Sequence, residues 1–251
     1  MMLLVLLRSA VFFVWFATVS TVLSFVFLPL LLLPAKVMRA SALVWCHAVL
    51  WGLRIIAGVR MEVRGAPPHE PMLVAAKHMS MWDTMALYVL LAKPAIVFKR
   101  ELGQIPFYGW FLRKTQMISI DRDGKASALR KMAADARAVL AEGRCVLIFP
   151  EGTRKKPGAV PDYKPGVAGL YTQLGVACAP VALNSGLFWT GPGGFLKMPG
   201  TVIVEFLPPI PPGLKRAAFM PALEGGIEGT AAGLIKEGRA ALAKKGLAQS
   251  A

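Results

Sequence analysis

Met72-Leu73-Val74-Ala75-Ala76-Lys77-His78-Met79-Ser80-Met81-Trp82-Asp83 is the stretch on which the reading of this chain turns. Residues 72–76 are an uncharged apolar run of strand length, and from Thr84 the apolar positions recur with helical period to about Leu91. The turn between them carries a histidine and a carboxylate. Imidazole titrates near about 6.5, so a histidine beside a carboxylate is the smallest unit that takes a proton from a hydroxyl at neutral pH. On one continuous helix, residues five apart lie about 140° round the axis, and His78 and Asp83 would face apart. They meet only if His78 sits in the turn and Asp83 in the first turn of the helix. Ser80, a good N-cap, supports that placement. The same residues carry a purely structural reading. Ser80-x-x-Asp83 is a capping box with Asp in place of Glu, in which Asp83 starts a helix and His78 is an ordinary loop histidine.

Outward from this stretch, composition points to a membrane. The 251 residues are 55% hydrophobic and only 17% charged, with mean hydropathy +0.54, which is too apolar for an ordinary soluble domain. The net charge is +15, and residues 1–61 hold Arg8, Lys36, Arg39, Arg54 and Arg60 with no acid. Such a distribution favours an anionic lipid surface, and the apolar N-terminus makes lipid, not nucleic acid, the expected partner. From Ser9 to Ala35 no residue is charged; as a helix this run would be about 40 Å long, enough to cross a hydrocarbon core of about 30 Å. Pro29 and Pro34 are expected to kink or end it. A cleaved signal peptide would have a shorter apolar region. Residues 41–59 form a second apolar segment. Arg39, His47 and Arg54 fall within about 80° of one another on a helical wheel, the pattern of a helix lying in the interface with Trp45 and Trp51 at headgroup depth. Residues 1–60 therefore read as a two-helix membrane element, either one span with an interfacial helix or a shallow hairpin. The cations C-terminal to the first helix place the remainder on the cytoplasmic side of the inner membrane.

Residues 61–251 read as one α/β domain. Short runs rich in Val, Ile and Phe recur at 72–76, 95–98, 117–120, 145–149, 177–183 and 202–207, with helical patterns at 126–142, 167–174 and 228–247. Buried strands alternating with helices predict a mostly parallel sheet flanked by helices. Cys46, Cys145 and Cys178 stand singly in apolar runs and read as buried free thiols of a reducing compartment. The three histidines have no metal-ligand spacing, since His69-Glu70 begins like H-E-x-x-H but position 73 is Leu, and no metal is expected.

Three further stretches stand at strand ends, where α/β sheets hold ligands. Ile118-Ser119-Ile120-Asp121-Arg122 delivers Arg122 at a strand's edge. Phe149-Pro150-Glu151-Gly152-Thr153-Arg154 breaks a strand into a turn that presents Arg154. Residues 179–186 form a strand interrupted early by Pro180. With these in place the chain resembles the 1-acyl-sn-glycerol-3-phosphate (lysophosphatidate) acyltransferases of the glycerolipid acyltransferase superfamily. His78 and Asp83 match the H-x-x-x-x-D motif, Arg122 the basic residue of the second motif, Glu151 to Arg154 the E-G-T-R motif, and Pro180 the proline of the fourth. Lys99-Arg100-Glu101-Leu102 with Pro106 and Gly109 is similar to the family's K-x-E-L…P…G segment. Lys155 departs from the Ser that often follows E-G-T-R.

The resemblance implies a glycerolphosphate acyltransferase-like fold. It also implies transfer of an acyl chain from acyl-CoA or acyl-carrier protein to the sn-2 hydroxyl of lysophosphatidate, giving phosphatidate with no bound cofactor. His78 would be the general base and Asp83 its orienting carboxylate. No G-x-S-x-G elbow and no cysteine near His78 is present, so direct attack by the acceptor hydroxyl is expected instead of an acyl-enzyme. Arg154 and Arg122, with Lys99 as a helper, are the phosphate candidates, because the guanidinium fork grips two oxygens at once. Backbone N–H groups of Gly152 or Thr153 are candidates for the phosphate or the thioester oxyanion. Glu151, itself negative, is expected to position Arg154 or meet the glycerol hydroxyl. The alternatives are an acyltransferase for another lysolipid, a lysophospholipid or lyso-aminolipid, and a non-enzymatic membrane-surface protein. The last gives no reason for four motifs in order.

Overall fold

The computed structural model describes residues 1–121, 125–190 and 194–247. Helix α1 (Met2–Phe27) runs into a 3-10 turn, Leu28–Leu32, and α2 (Ala35–Gly52) follows. The prolines act as expected: Pro29 opens the 3-10 turn, and Pro34 stands at the N-cap of α2. A wide turn over Leu53–Ala57 then closes on Gly58 at φ 70, a left-handed position suited to glycine. The chain continues as β1 (Val59–Arg64), β2 (Leu73–Ala76), α3 (Met81–Leu90), β3 (Ala95–Lys99), α4 (Tyr108–Lys114), β4 (Ile118–Ile120), α5 (Lys125–Ala141), β5 (Val146–Ile148), α6 (Gly166–Leu174), β6 (Cys178–Leu183), β7 (Gly200–Phe206) and α7 (Arg216–Lys244).

The strands form one seven-stranded sheet in the order β1-β7-β6-β2-β5-β3-β4. All neighbours are parallel except β6 and β7, so the sheet is mostly parallel, as the alternating pattern predicts. Central strand β2 shows why continuous apolar runs read correctly. Val74 and Ala76 enter one core with α3 and the later turns of α7, while Leu73 and Ala75 enter the other with α5, α6 and the early turns of α7.

Two elements, and the start of a third, lacked a legible signal. Edge strand β1 alternates charge, Val-Arg-Met-Glu-Val-Arg, because only Val59 is buried and its other residues face outward or lie half-buried. Helix α4 is only seven residues long. Helix α7 starts twelve residues before the expected position 228 and runs through Pro221, with Gly225, Gly226 and Gly229 diluting its helical pattern.

Both N-terminal helices are long and apolar enough to cross a membrane, with mean hydropathy 2.2 and 1.5. Only a narrow stripe of α1 is covered by protein. Val5, Ser9 and Phe12 are buried at helical spacing, while Leu3, Leu7, Val14, Val22 and Phe25 are exposed. The stripe packs on the body along much of the helix. Ser9 Oγ accepts the Lys197 backbone N–H at 2.9 Å, and the Phe12 ring meets Trp189 edge-on at 5.6 Å. Phe25 lies 6.0 Å from Phe107, and Trp15 Nε1 donates to Ala48 O of α2 at 3.3 Å. Gly52 permits the close approach of α1 and α2, since a Cβ there would collide with the Trp15 indole. Gly52→Ala should therefore lower stability by about 1–3 kcal/mol through overpacking, despite alanine's better helix propensity. Thermal melting in detergent checks it, and an unchanged midpoint would mean that the hairpin yields freely.

Candidate active site

The C-terminal ends of β2, β5 and β6, which are adjacent and parallel, converge on one edge of the sheet. Chain order then fixes the site. The His78 turn follows β2, the Glu151 turn follows β5, and Asn184-Ser185 follows β6.

Asp83 is fully buried at the start of α3. Its Oδ2 accepts the backbone N–H groups of Met79 at 2.7 Å and Ser80 at 2.9 Å and lies 3.0 Å from His78 Nδ1. Its Oδ1 accepts from the hydroxyls of Ser80, at 3.3 Å, and Ser185. The capping box and the His–Asp pair are thus the same carboxylate, so the two readings of this stretch hold together. An ionised carboxylate only accepts, which assigns the proton to Nδ1 and leaves the lone pair on Nε2. Nε2 makes no hydrogen bond among the described residues. The ring is stacked on Phe149 at 3.9 Å between centroids and is 15% exposed, so one edge of the imidazole stays accessible.

The E-G-T-R turn is seated directly on this unit, because the Lys155 N–H donates to His78 O at 2.9 Å. Gly152 sits at φ 62, and its N–H closes the turn onto Phe149 O at 2.8 Å. The expectation that the Gly152 N–H faces a substrate is therefore corrected, since its donor is already engaged and its part is conformational. The Thr153 N–H makes no hydrogen bond among the described residues. Half-buried Arg154 forms no ion pair among them either. Desolvation raises the Tyr108 phenol above its ordinary value, and the Arg154 guanidinium works against that rise.

Glu151 does not hold Arg154 as expected. Its carboxyl is 1% exposed, with Oε1 accepting from Lys77 Nζ at 2.9 Å. Lys77, itself 2% exposed, also donates to Glu228 Oε1 of α7 at 2.7 Å, and Tyr163 OH reaches the same oxygen at 2.9 Å. Glu151 Oε2 is buried without a partner. Burial pushes the Glu151 carboxyl above the usual range and Lys77 pulls it partly back. Lys99 is exposed at the end of β3, on the same sheet edge. Arg122 lies outside the described residues; before it, Asp121 pairs with Arg100 at 2.6 Å.

Lys77, Ser185 and Glu228 were missed as site residues. Lys77 had a usable signal, because a lysine that directly extends an all-buried strand needs a counter-charge. Ser185 lay within the quoted third stretch. Glu228, contributed by a distant helix, had no local signal.

The acyltransferase family model matches residues 60–184, from β1 through the His78 and E-G-T-R turns to the end of β6. Over 205 residues the chain is 38% identical to a 1-acyl-sn-glycerol-3-phosphate acyltransferase of Pseudomonas aeruginosa, covering 81% of this chain and 77% of that protein. The chain belongs to the 1-acyl-sn-glycerol-3-phosphate acyltransferase family. The alpha form of this acyltransferase from Mus musculus is 30% identical over 178 residues, 69% of this chain and 61% of the mouse protein. The fold is shared with the crystal structure of the 1-acyl-sn-glycerophosphate acyltransferase PlsC of Thermotoga maritima. There the TM-score is 0.71 at 22% identity, over 90% of this chain and 97% of that one.

In this acyltransferase Lys77 bridges two carboxylates, so removing it leaves buried charge uncompensated. Lys77→Met should cost about 3–5 kcal/mol. Adding Glu151→Gln should recover part of the loss, because one buried anion is then gone. Chemical denaturation of the single and double variants measures both, and strictly additive losses would show that the two residues do not act as a pair.

Proposed function

We propose that the chain transfers a fatty acyl group from acyl-CoA or acyl-carrier protein to the sn-2 hydroxyl of lysophosphatidate, forming phosphatidate. The observation that supports this most directly is the Lys155 N–H to His78 O bond, which ties a turn bearing an arginine with no ion pair among the described residues to the backbone of the His–Asp pair. A proton acceptor and a phosphate-binding fork on one braced turn suit an acceptor that carries both a hydroxyl and a phosphate monoester.

His78 Nε2 takes the proton of the sn-2 hydroxyl as the oxygen attacks the thioester carbon. Asp83 holds the Nδ1 tautomer and stabilises the imidazolium. The thioester oxygen gains charge in the tetrahedral intermediate, and the Thr153 N–H, without a hydrogen bond among the described residues, is the backbone donor on the turn to meet it. Collapse expels the thiolate, which recovers the proton from His78. Arg154 grips the acceptor phosphate, with Lys99 and Arg122 as further cations. Glu151, held by Lys77, keeps the turn in place.

Residues 1–60 anchor and residues 61–251 catalyse in this reading. Because α1 contacts the body from Ser9 to Phe25, crossing the bilayer would drag the catalytic domain into the hydrocarbon. The hairpin therefore lies in one leaflet with its bare apolar face in lipid, on the cytoplasmic side of the inner membrane, where thioester donors are held.

His78→Ala should leave a folded, membrane-bound protein whose turnover with lysophosphatidate and labelled acyl-CoA falls at least about 10²-fold. Asp83→Asn is a less clean test, since an amide nitrogen among five donors disrupts the helix cap as well. Near wild-type turnover of His78→Ala would overturn the mechanism. Activity that persists when lysophosphatidylcholine or a lyso-aminolipid replaces lysophosphatidate would move the acceptor to another lysolipid.

Arg154 gives an independent test. A charge-assisted hydrogen bond nets about 1.5–3 kcal/mol, so Arg154→Ala should weaken acceptor dependence roughly 10- to 150-fold. Arg154→Lys should fall between, keeping charge without the fork. Initial rates at varied lysophosphatidate and saturating donor decide it, and an unchanged acceptor dependence in folded Arg154→Ala would remove this residue from the phosphate site.

A further inference from the structure

The connection between β3 and β4 carries side chains ill-suited to water. Leu102, Ile105, Phe107 and Trp110 are 37, 46, 38 and 43% exposed within nine residues of sequence. Clustered exposed apolar groups mark an interaction surface more often than an ordinary monomer face. The backbone is built to hold them out. Phe107 stands at φ 61 and ψ −60, a conformation that a bulky residue adopts only when its surroundings force it. Gly109 has no room for a Cβ, which would collide with Gly103 O, and the Gly109 N–H donates to Ile105 O at 2.7 Å. Arg113 Nη1 braces the same Gly103 carbonyl at 2.8 Å. A spare loop would relax and fold these groups inward, whereas this one is pinned with them outward.

What covers the patch follows from what it continues. The Phe107 ring lies 6.0 Å from Phe25 of α1 and 5.1 Å from Trp110. Phe25 is itself 61% exposed, and Leu32 just beyond is 89% exposed, so the patch extends the outer face of α1. Residues 99–114 carry Lys99, Arg100, Arg113 and Lys114 against the single acid Glu101. Aromatic and aliphatic groups fringed by cations fit an anionic lipid leaflet.

We propose that residues 100–114 are a second membrane-contacting platform, whose Leu102, Ile105, Phe107 and Trp110 enter the same leaflet as α1 and hold the catalytic edge at headgroup depth. Lys99, at the root of the platform, then faces lipid phosphates, and a lysolipid meets it without leaving the leaflet. This rests on the reading of α1 as lying in the membrane, and the test separates the two.

The full chain with Ile105→Cys carries an environment-sensitive fluorophore, the native thiols being buried. It is reconstituted into phosphatidylethanolamine–phosphatidylglycerol vesicles and recovered by flotation, so anchoring is scored before the probe is read. A probe at Lys131→Cys, on the exposed side of α5, is the aqueous control. The expected result is a blue-shifted Ile105 probe quenched several-fold more by acyl-chain nitroxide lipids than by iodide, with the order reversed at Lys131. Leu102→Cys repeats the measurement should Ile105→Cys misfold. A solvent-like probe in floated protein would overturn the platform while leaving the anchor intact. A blue-shifted probe that nitroxide lipids fail to quench would also overturn it, pointing instead to cover by a second copy of the chain.

Discussion

The structure depends on one buried carboxylate. Asp83 has no contact with water, so each of its lone pairs must find a donor or carry a desolvation cost of several kcal/mol. Five donors meet it: two backbone N–H groups of the turn, the imidazole, and the hydroxyls of Ser80 and Ser185. They come from β2's turn, the start of α3 and the end of β6. Satisfying this one anion therefore fixes three chain segments relative to one another. It also explains why a residue that caps a helix can orient the imidazole of His78. Both tasks need an ionised oxygen held still, and the cap supplies the stillness.

A second buried charge extends the constraint. Lys77 is the residue before His78, yet its side chain points to Glu151 of the neighbouring turn and Glu228 of α7. Adjacent residues in extended backbone face opposite ways, so His78 lies at the C-terminal edge of the sheet while Lys77 locks the scaffold behind it. The long terminal helix thereby becomes part of the site's support, although none of its residues belongs to a motif.

Much of this was legible in the chain. A strand buried on both faces reads as a continuous apolar run, and β2, β5 and β6 read that way. Their C-terminal turns carried the ordered motifs, so the position of the site followed from the parallel sheet. Strand β1 was hidden because its outward residues alternate in charge. The partner of Glu151 was hidden for a different reason. Proximity in sequence made Arg154 the natural counter-ion, whereas the tertiary fold offered a buried ammonium from 74 residues away. Pairings between motifs are set by which strands neighbour each other, and a linear pattern carries that only once the strand order is known.

In the proposed function the anchor and the chemistry are coupled through packing. Helix α1 gives up only a narrow stripe to protein, and that stripe ties into the same hydrophobic cluster as Trp82, Met85 and the sheet residues Val74 and Ala76. An anchor on a flexible linker would leave the site free to tumble above the membrane, whereas one fused to the core fixes its height and tilt. For an acceptor whose chain stays in the leaflet and whose phosphate sits at its surface, only a narrow range of heights brings the hydroxyl to an imidazole held on a rigid turn. In the proposed function, orientation of the whole molecule is then part of catalysis. The apolar face of α1 sets it by the same burial of hydrocarbon that folds the sheet.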